Sequence, residues 1–164
     1  MPLSNLHDLY VDNLKDLYNA EKQILQAMPR VARKVEDPQL RQALEKHHRE
    51  TEQQKDRLEQ IFKDMGAKAT GKVCKAMKGL IEENKEMLQE KAAPDVMDAG
   101  LIVGLQKVEH YEIAGYGSAV AFAKLLGETE AAKLLAQTLD EEEKADKTLS
   151  QIAQKSINRR AMDA

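Results

Sequence analysis

An apolar residue returns every three or four positions through four long stretches of this chain, and near mid-length each stripe is broken by an acid. The first stripe reads Leu14, Leu17, Glu21, Ile24/Leu25, Met28. The second reads Leu40, Ala43/Leu44, His47, Glu50/Thr51, Gln54, Leu58, Ile61. The third reads Ile102, Leu105, Glu109, Glu112, Tyr116, and the fourth Leu135, Leu139, Glu142, Asp146, Leu149. That spacing is helical, and each helix must hide one face. Four such helices in a chain of 164 residues bury their faces most economically against one another, as an all-α four-helix bundle.

The punctuation sets the topology. The first helix is expected over 3–35. In "EDPQL", Asp37 can cap a new helix and Pro38 suits its first position. This second helix runs to about Met65 and stops at Gly66, followed by the loop "GAKATG". A shorter helix is predicted over 73–89. "KAAPDV" breaks it, Pro94 opens the third long helix, and Gly127 fits that helix's C-terminal cap. The fourth long helix spans 129–157. The first two helices are joined tightly, as are the last two, and a long crossover with its own short helix links the pairs. Residues 1–157 are thus one domain, with 158–164 expected to be a flexible tail.

The acids on the stripes are the informative residues. Carboxylates gathered in a core are strongly unfavourable without protons or cations beside them. Two divalent cations solve the problem, and oxygen ligands suit iron first, with manganese as the alternative. Phase selects Glu21, Glu50, Glu109, Glu112, Glu142 and Asp146 as candidate ligands. Gln54 lies on the same face of the second helix. His47 is either a donor behind the ligands or a hydrogen-bonded core histidine. In "DEEEKAD" most of the acid must be solvated, and Glu143 competes with Glu142. Tyr116, one turn beyond Glu112, is a packing residue or a hydrogen-bond partner of the site. Gly100, Gly104, Gly115 and Gly117 weaken the third helix by about 1 kcal/mol each relative to alanine. They imply close helix approach or a local bulge.

Composition narrows the function classes. A net charge of -3 gives no basic face for nucleic acid. No apolar run is long enough to cross a membrane, and no basic stretch followed by an apolar run marks the N-terminus. The single Cys74 cannot form an internal disulfide and points to a reducing, cytoplasmic location.

The segments "LYNAEKQILQAMPRVAR", "RETEQQKDRLEQIF", "KGLIEENKE", "QKVEHYEIAGYGS" and "TLDEEEKADKTL" resemble the YciE/YciF-like bacterial stress proteins of the ferritin-like superfamily. The resemblance covers nearly the whole chain, and "VEHYEIA-Y" is its most specific part. It implies a ferritin-like four-helix bundle and a homodimer. A more distant similarity to rubrerythrin-type di-iron proteins bears on the site. Their third-helix Glu-x-x-Glu is matched by Glu109 and Glu112, and their first-helix Glu by Glu21. Where their second helix carries Glu-x-x-His, Glu50 is followed here by Gln53. Where their fourth does, Glu143 is followed by Asp146. Both ligand histidines of that pattern are absent. The leading functional expectation is a di-metal protein with oxidase, peroxidase or ferroxidase-type activity, its electron donor not specified by the sequence. The alternative is a non-catalytic structural or interaction protein of the same fold.

Overall fold

The structure is a computed structural model and describes residues 2–164. Its helices are α1 (Leu6–Lys34), α2 (Pro38–Asp64), α3 (Lys75–Gln89), α4 (Pro94–Leu125), α5 (Thr129–Ile152) and α6 (Asn158–Met162), with a π turn (Ala153–Ile157) between the last two. Their boundaries follow local chemistry. Asn5 caps α1 by accepting from the Asp8 N–H at 2.9 Å. Asp37 caps α2 by accepting from Gln39 N–H at 2.9 Å and Leu40 N–H at 3.0 Å, with Pro38 in the first turn. Gly127 follows α4 at φ 76°, a left-handed conformation that side chains rarely adopt, and turns the chain into α5.

The helices pack in the cyclic order α1, α2, α5, α4. Helices α1–α2 and α4–α5 are the tight hairpins. The connection from α2 to α4 runs the length of the bundle, and its helix α3 lies over the α1–α4 edge. This is the ferritin-like bundle with a long crossover. The apolar residues condense into three clusters, one of them under α3 with Ile24, Met28, Met77, Ile81 and Val108 and the other two at the ends of the bundle. Of the end clusters, one gathers Leu14, Leu17, Leu58, Ile61, Tyr116 and Leu135 at the end where α2 and α4 finish. The other gathers Val35, Leu40, Leu101, Ile102, Leu149 and Ile157 at the opposite end. Between them, every long helix places polar side chains inward.

Close approach explains the glycines of α4. A Cβ at Gly104 would lie 1.7 Å from Asn84 Oδ1 on α3, and one at Gly100 would lie 2.6 Å from Met87 Cε. A Cβ at Gly115 would come within 2.7 Å of Leu17 Cδ2 on α1, whereas Gly117 is in open space. The one π turn lies instead at the end of α5. Helical backbone continues past Ile157 to Met162, beyond the expected end of the last helix. There Arg160 bonds Asp37 at 2.8 Å and Asp95 at 2.7 Å.

Buried Asp98 on α4 ties down the α1–α2 turn by accepting from Asp37 N–H at 2.7 Å and Glu36 N–H at 3.1 Å. Asp98→Ala leaves two backbone donors without an acceptor and should cost about 2–3 kcal/mol in urea unfolding. Asp98→Asn keeps an acceptor and should cost markedly less. Equal losses for the two variants would mean that Asp98 acts through packing alone.

Candidate metal centre

Five side chains from the four long helices meet between the two end clusters. They are Glu21 from α1, His47 from α2, Glu109 and Glu112 from α4, and Glu142 from α5, and all are buried. His47, Glu109 and Glu142 each offer one ligand atom, all within 4.8 Å of one another. His47 Nε2 lies 3.1 Å from Glu109 Oε1, but not in hydrogen-bond alignment. The carboxyls of Glu112 and Glu21, Glu112 and Glu142, and Glu109 and Glu142 face each other within hydrogen-bonding reach.

Unless protonated, these carboxyls have no proton to share, and no other side chain supplies most of them with one. Both oxygens of Glu112, both of Glu142, Glu21 Oε2 and Glu109 Oε2 have no donor among the described residues, and neither ring nitrogen of His47 is satisfied. Among the described residues, Tyr116 supplies a hydrogen bond into the layer, its hydroxyl donating to Glu21 Oε1. Gln54 is fully buried on the same face of α2, two turns after His47, and both its amide atoms are also without partners.

The electrostatics follow from this crowding. Burial, reinforced by the Glu142 carboxylate, pushes Glu21 from the ordinary 4.5 up to about 8. Burial pushes Glu109 up to about 7. Glu112 and Glu142 are also raised well above the ordinary value, by burial first and then by the neighbouring carboxylates. Without cations the layer therefore holds protons near neutral pH. The donor set fits divalent metal: oxygen-rich, one imidazole, buried, and lacking any other counter-charge.

The other expected ligands stand at the margin. Glu50 is half-buried, its Oε2 4.0 Å from His47 Nδ1. Asp146 is turned to the α4 surface, where Gln106 donates to it at 3.1 Å and His110 Nε2 lies 3.2 Å away. Glu143 is exposed, so Glu142 alone of that pair enters the core. His47 lies three residues before Glu50, so α2 brings its histidine to the layer from the turn preceding the Glu rather than the turn following it.

Two clefts reach the His47–Glu109 pair. One, of about 160 Å³, opens between α1, α3 and α4. The other, of about 60 Å³, lies between α2, α4 and α5, beside Glu50. Sequence reasoning missed the first because Asn84 lines it from α3, a helix that carries none of the stripes' acids. Its signal was a polar residue at helical spacing after Met77 and Ile81, opposite the Gly104 gap.

The profile of one protein family, described as a domain of unknown function (DUF892), matches residues 5–162. The chain belongs to the DUF892 family. This DUF892 protein is 40% identical over 162 residues to Protein YciF of Escherichia coli K12, covering 98% of each chain. Its structure matches the crystal structure of the E. coli stress protein YciF with a TM-score of 0.91 at 39% identity, covering 95% of this chain and 99% of that one. It also matches YcfI of Rhodopseudomonas palustris, described as a candidate structural protein, with a TM-score of 0.87 at 39% identity over 90% of this chain and 94% of that one. A Xanthomonas campestris protein at 23% identity, with a TM-score of 0.75 over 97% of each chain, shares the fold. No helix of this DUF892 protein among the described residues is long and apolar enough to cross a membrane.

Proposed function

We propose that the buried carboxylate layer is a di-metal centre, of iron or alternatively manganese, and that the protein performs oxidase, peroxidase or ferroxidase-type redox chemistry. The observation that carries this reading is the set of donor-less, fully buried oxygens on Glu112 and Glu142, flanked by Glu21, Glu109 and His47. Those five side chains would hold the ions. Their four carboxylates carry four negative charges when ionised, which two divalent cations cancel and one does not. Glu50 shares the smaller cleft with His47 and Glu109, whereas Asp146 would first have to leave Gln106 and His110.

Bound in this layer, redox-active cations would supply electron exchange with dioxygen, peroxide or external Fe(II). The chain's own residues supply the setting. Tyr116 holds one oxygen of Glu21 and so leaves the other directed to the layer. The apolar clusters above and below exclude water, which strengthens the pull of the carboxylates on cations. An arriving molecule meets His47 and Glu109 first, because both clefts end on that pair. Carboxylate-rich coordination favours the harder, more oxidised iron.

Elemental analysis of protein purified without chelator should find up to two iron or manganese ions per chain. Fe(II)-loaded protein mixed with oxygen or peroxide in a stopped-flow cell should oxidise faster than free Fe(II), and Glu109→Ala should remove that advantage. Rates equal to free Fe(II) and unaffected by the substitution would refute redox activity. A second reading, a non-catalytic structural protein, draws support from the description of the Rhodopseudomonas relative. Failure to take up either metal by a well-folded protein would select it.

A further inference from the structure

The larger cleft has a chemistry of its own. Its walls are aliphatic, from Ile24 and Met28 on α1, Ile81 on α3, and Leu105 and Val108 on α4. No Phe, Tyr or Trp lines it. Its floor is polar: buried Glu109, and His47 with neither ring nitrogen hydrogen-bonded. Its rim carries two exposed cations from facing helices, Arg30 on α1 and Lys85 on α3, and neither is paired with a carboxylate among the described residues. Cleft and rim therefore ask for an apolar body with an anionic end.

We propose that this cleft binds a short aliphatic carboxylate, head group at the Arg30–Lys85 rim and chain directed inward toward His47 and Glu109. The orientation follows from where the charge lies, because both cations stand at the exposed rim and the walls leading inward from it are apolar. The length follows from volume. A dry cavity of about 150 Å³ holds a six-carbon molecule, so a cleft of about 160 Å³ suits a chain of about six carbons. The Gly104 gap keeps the wall open. It lets the buried Asn84 side chain lie against the α4 backbone, where any larger residue would drive it away. Ion-pairing at an exposed rim is weak by itself. The chain therefore supplies most of the affinity and the rim decides which end stays outside.

Hexanoate is the probe, titrated into methyl-labelled, chelator-treated full-chain protein and followed by NMR. Saturable shifts are expected at the methyls of Ile81, Leu105 and Val108, with a dissociation constant of about 1 mM or tighter for a ligand of this size. Ala27→Phe, which fills a half-buried part of the wall, should weaken binding about tenfold or more. The charge reversal Arg30→Glu with Lys85→Glu, both on the surface, should weaken hexanoate several-fold and leave hexanol unchanged. No saturable shift at these methyls, or equal affinity in the folded Ala27→Phe protein, overturns the site. Hexanol binding as well as hexanoate, with the charge reversal silent, overturns the carboxylate. Binding is read on metal-free protein, so this outcome and that of metal uptake are independent.

Discussion

Metal-free protein should melt ~10 °C lower at pH 8 than at pH 5, and a divalent metal should reverse that trend. In the folded chain Glu21 keeps its proton up to about 8 and Glu109 up to about 7, whereas an unfolded glutamate loses it near the ordinary 4.5. The folded state thus binds more protons through this interval, and stability falls as pH rises. The stabilisation is fully present below about pH 4 and is lost progressively as pH climbs through the folded values. The loss from these two buried groups is on the order of several kcal/mol. Metal changes the sign because its ligands must shed their protons to bind it. With Mn(II) in excess, affinity and melting temperature should both climb between pH 5 and pH 8. Scanning calorimetry at a series of pH values, with chelator and with metal, measures both slopes. A metal-free protein most stable at pH 8 would show that the layer is neutralised by something other than protons.

Replacing Glu112 with glutamine should separate the costs of the layer from its use. Glu112 faces the Glu21 and Glu142 carboxyls, with Glu109 close enough to act on it through charge, in a site that gives it no other donor. The amide keeps the shape, cannot ionise at any pH and always carries a donor that Glu21 or Glu142 can accept from. The metal-free variant should therefore melt several degrees higher than its parent at pH 8, where about 1 kcal/mol is ~2–4 °C in a chain of this length. Its metal affinity should fall by about a hundredfold or more. Loss of a residue that merely supports metal ligands already costs about 10–100-fold. Calorimetry with Mn(II) and apo-protein melts measure the two effects. A variant that melts lower than its parent without metal would make Glu112 a stabilising partner rather than a strained ligand.

The four helices and the identity of most inward acids were legible in the chain because both rest on local spacing. Residues three and four apart share a helix face whatever surrounds them, so Glu21, Glu109, Glu112 and Glu142 could be placed beside Leu17, Leu105 and Leu139 before any contact was known. The breaks were legible for the same reason: Asp37 with Pro38, Gly66, Pro94 and Gly127 each act on their own backbone. Phase also placed Glu142 rather than Glu143 on the inward face, and Glu142 is buried while Glu143 is exposed.

The limit of that reasoning is the width of a helix face. An apolar stripe covers an arc of about 100° or more. A residue at its edge can therefore turn to the core or to the rim with little change in spacing. Glu50 and Asp146 sit at such edges, and only the packing of α2 and α5 against α4 leaves one half-buried and the other bound to Gln106. The same holds for His47, which spacing placed inward without saying what its ring meets. Other features carry no local signature of their partners. The cleft under α3, Asn84 filling the gap at Gly104, Asp98 holding the α1–α2 turn, and Arg160 reaching back to Asp37 all join residues far apart in the chain. Their partners are fixed by how the helices cross, so they were decided by the tertiary structure: local spacing specifies which face of a helix is inward, and not which residue it meets there.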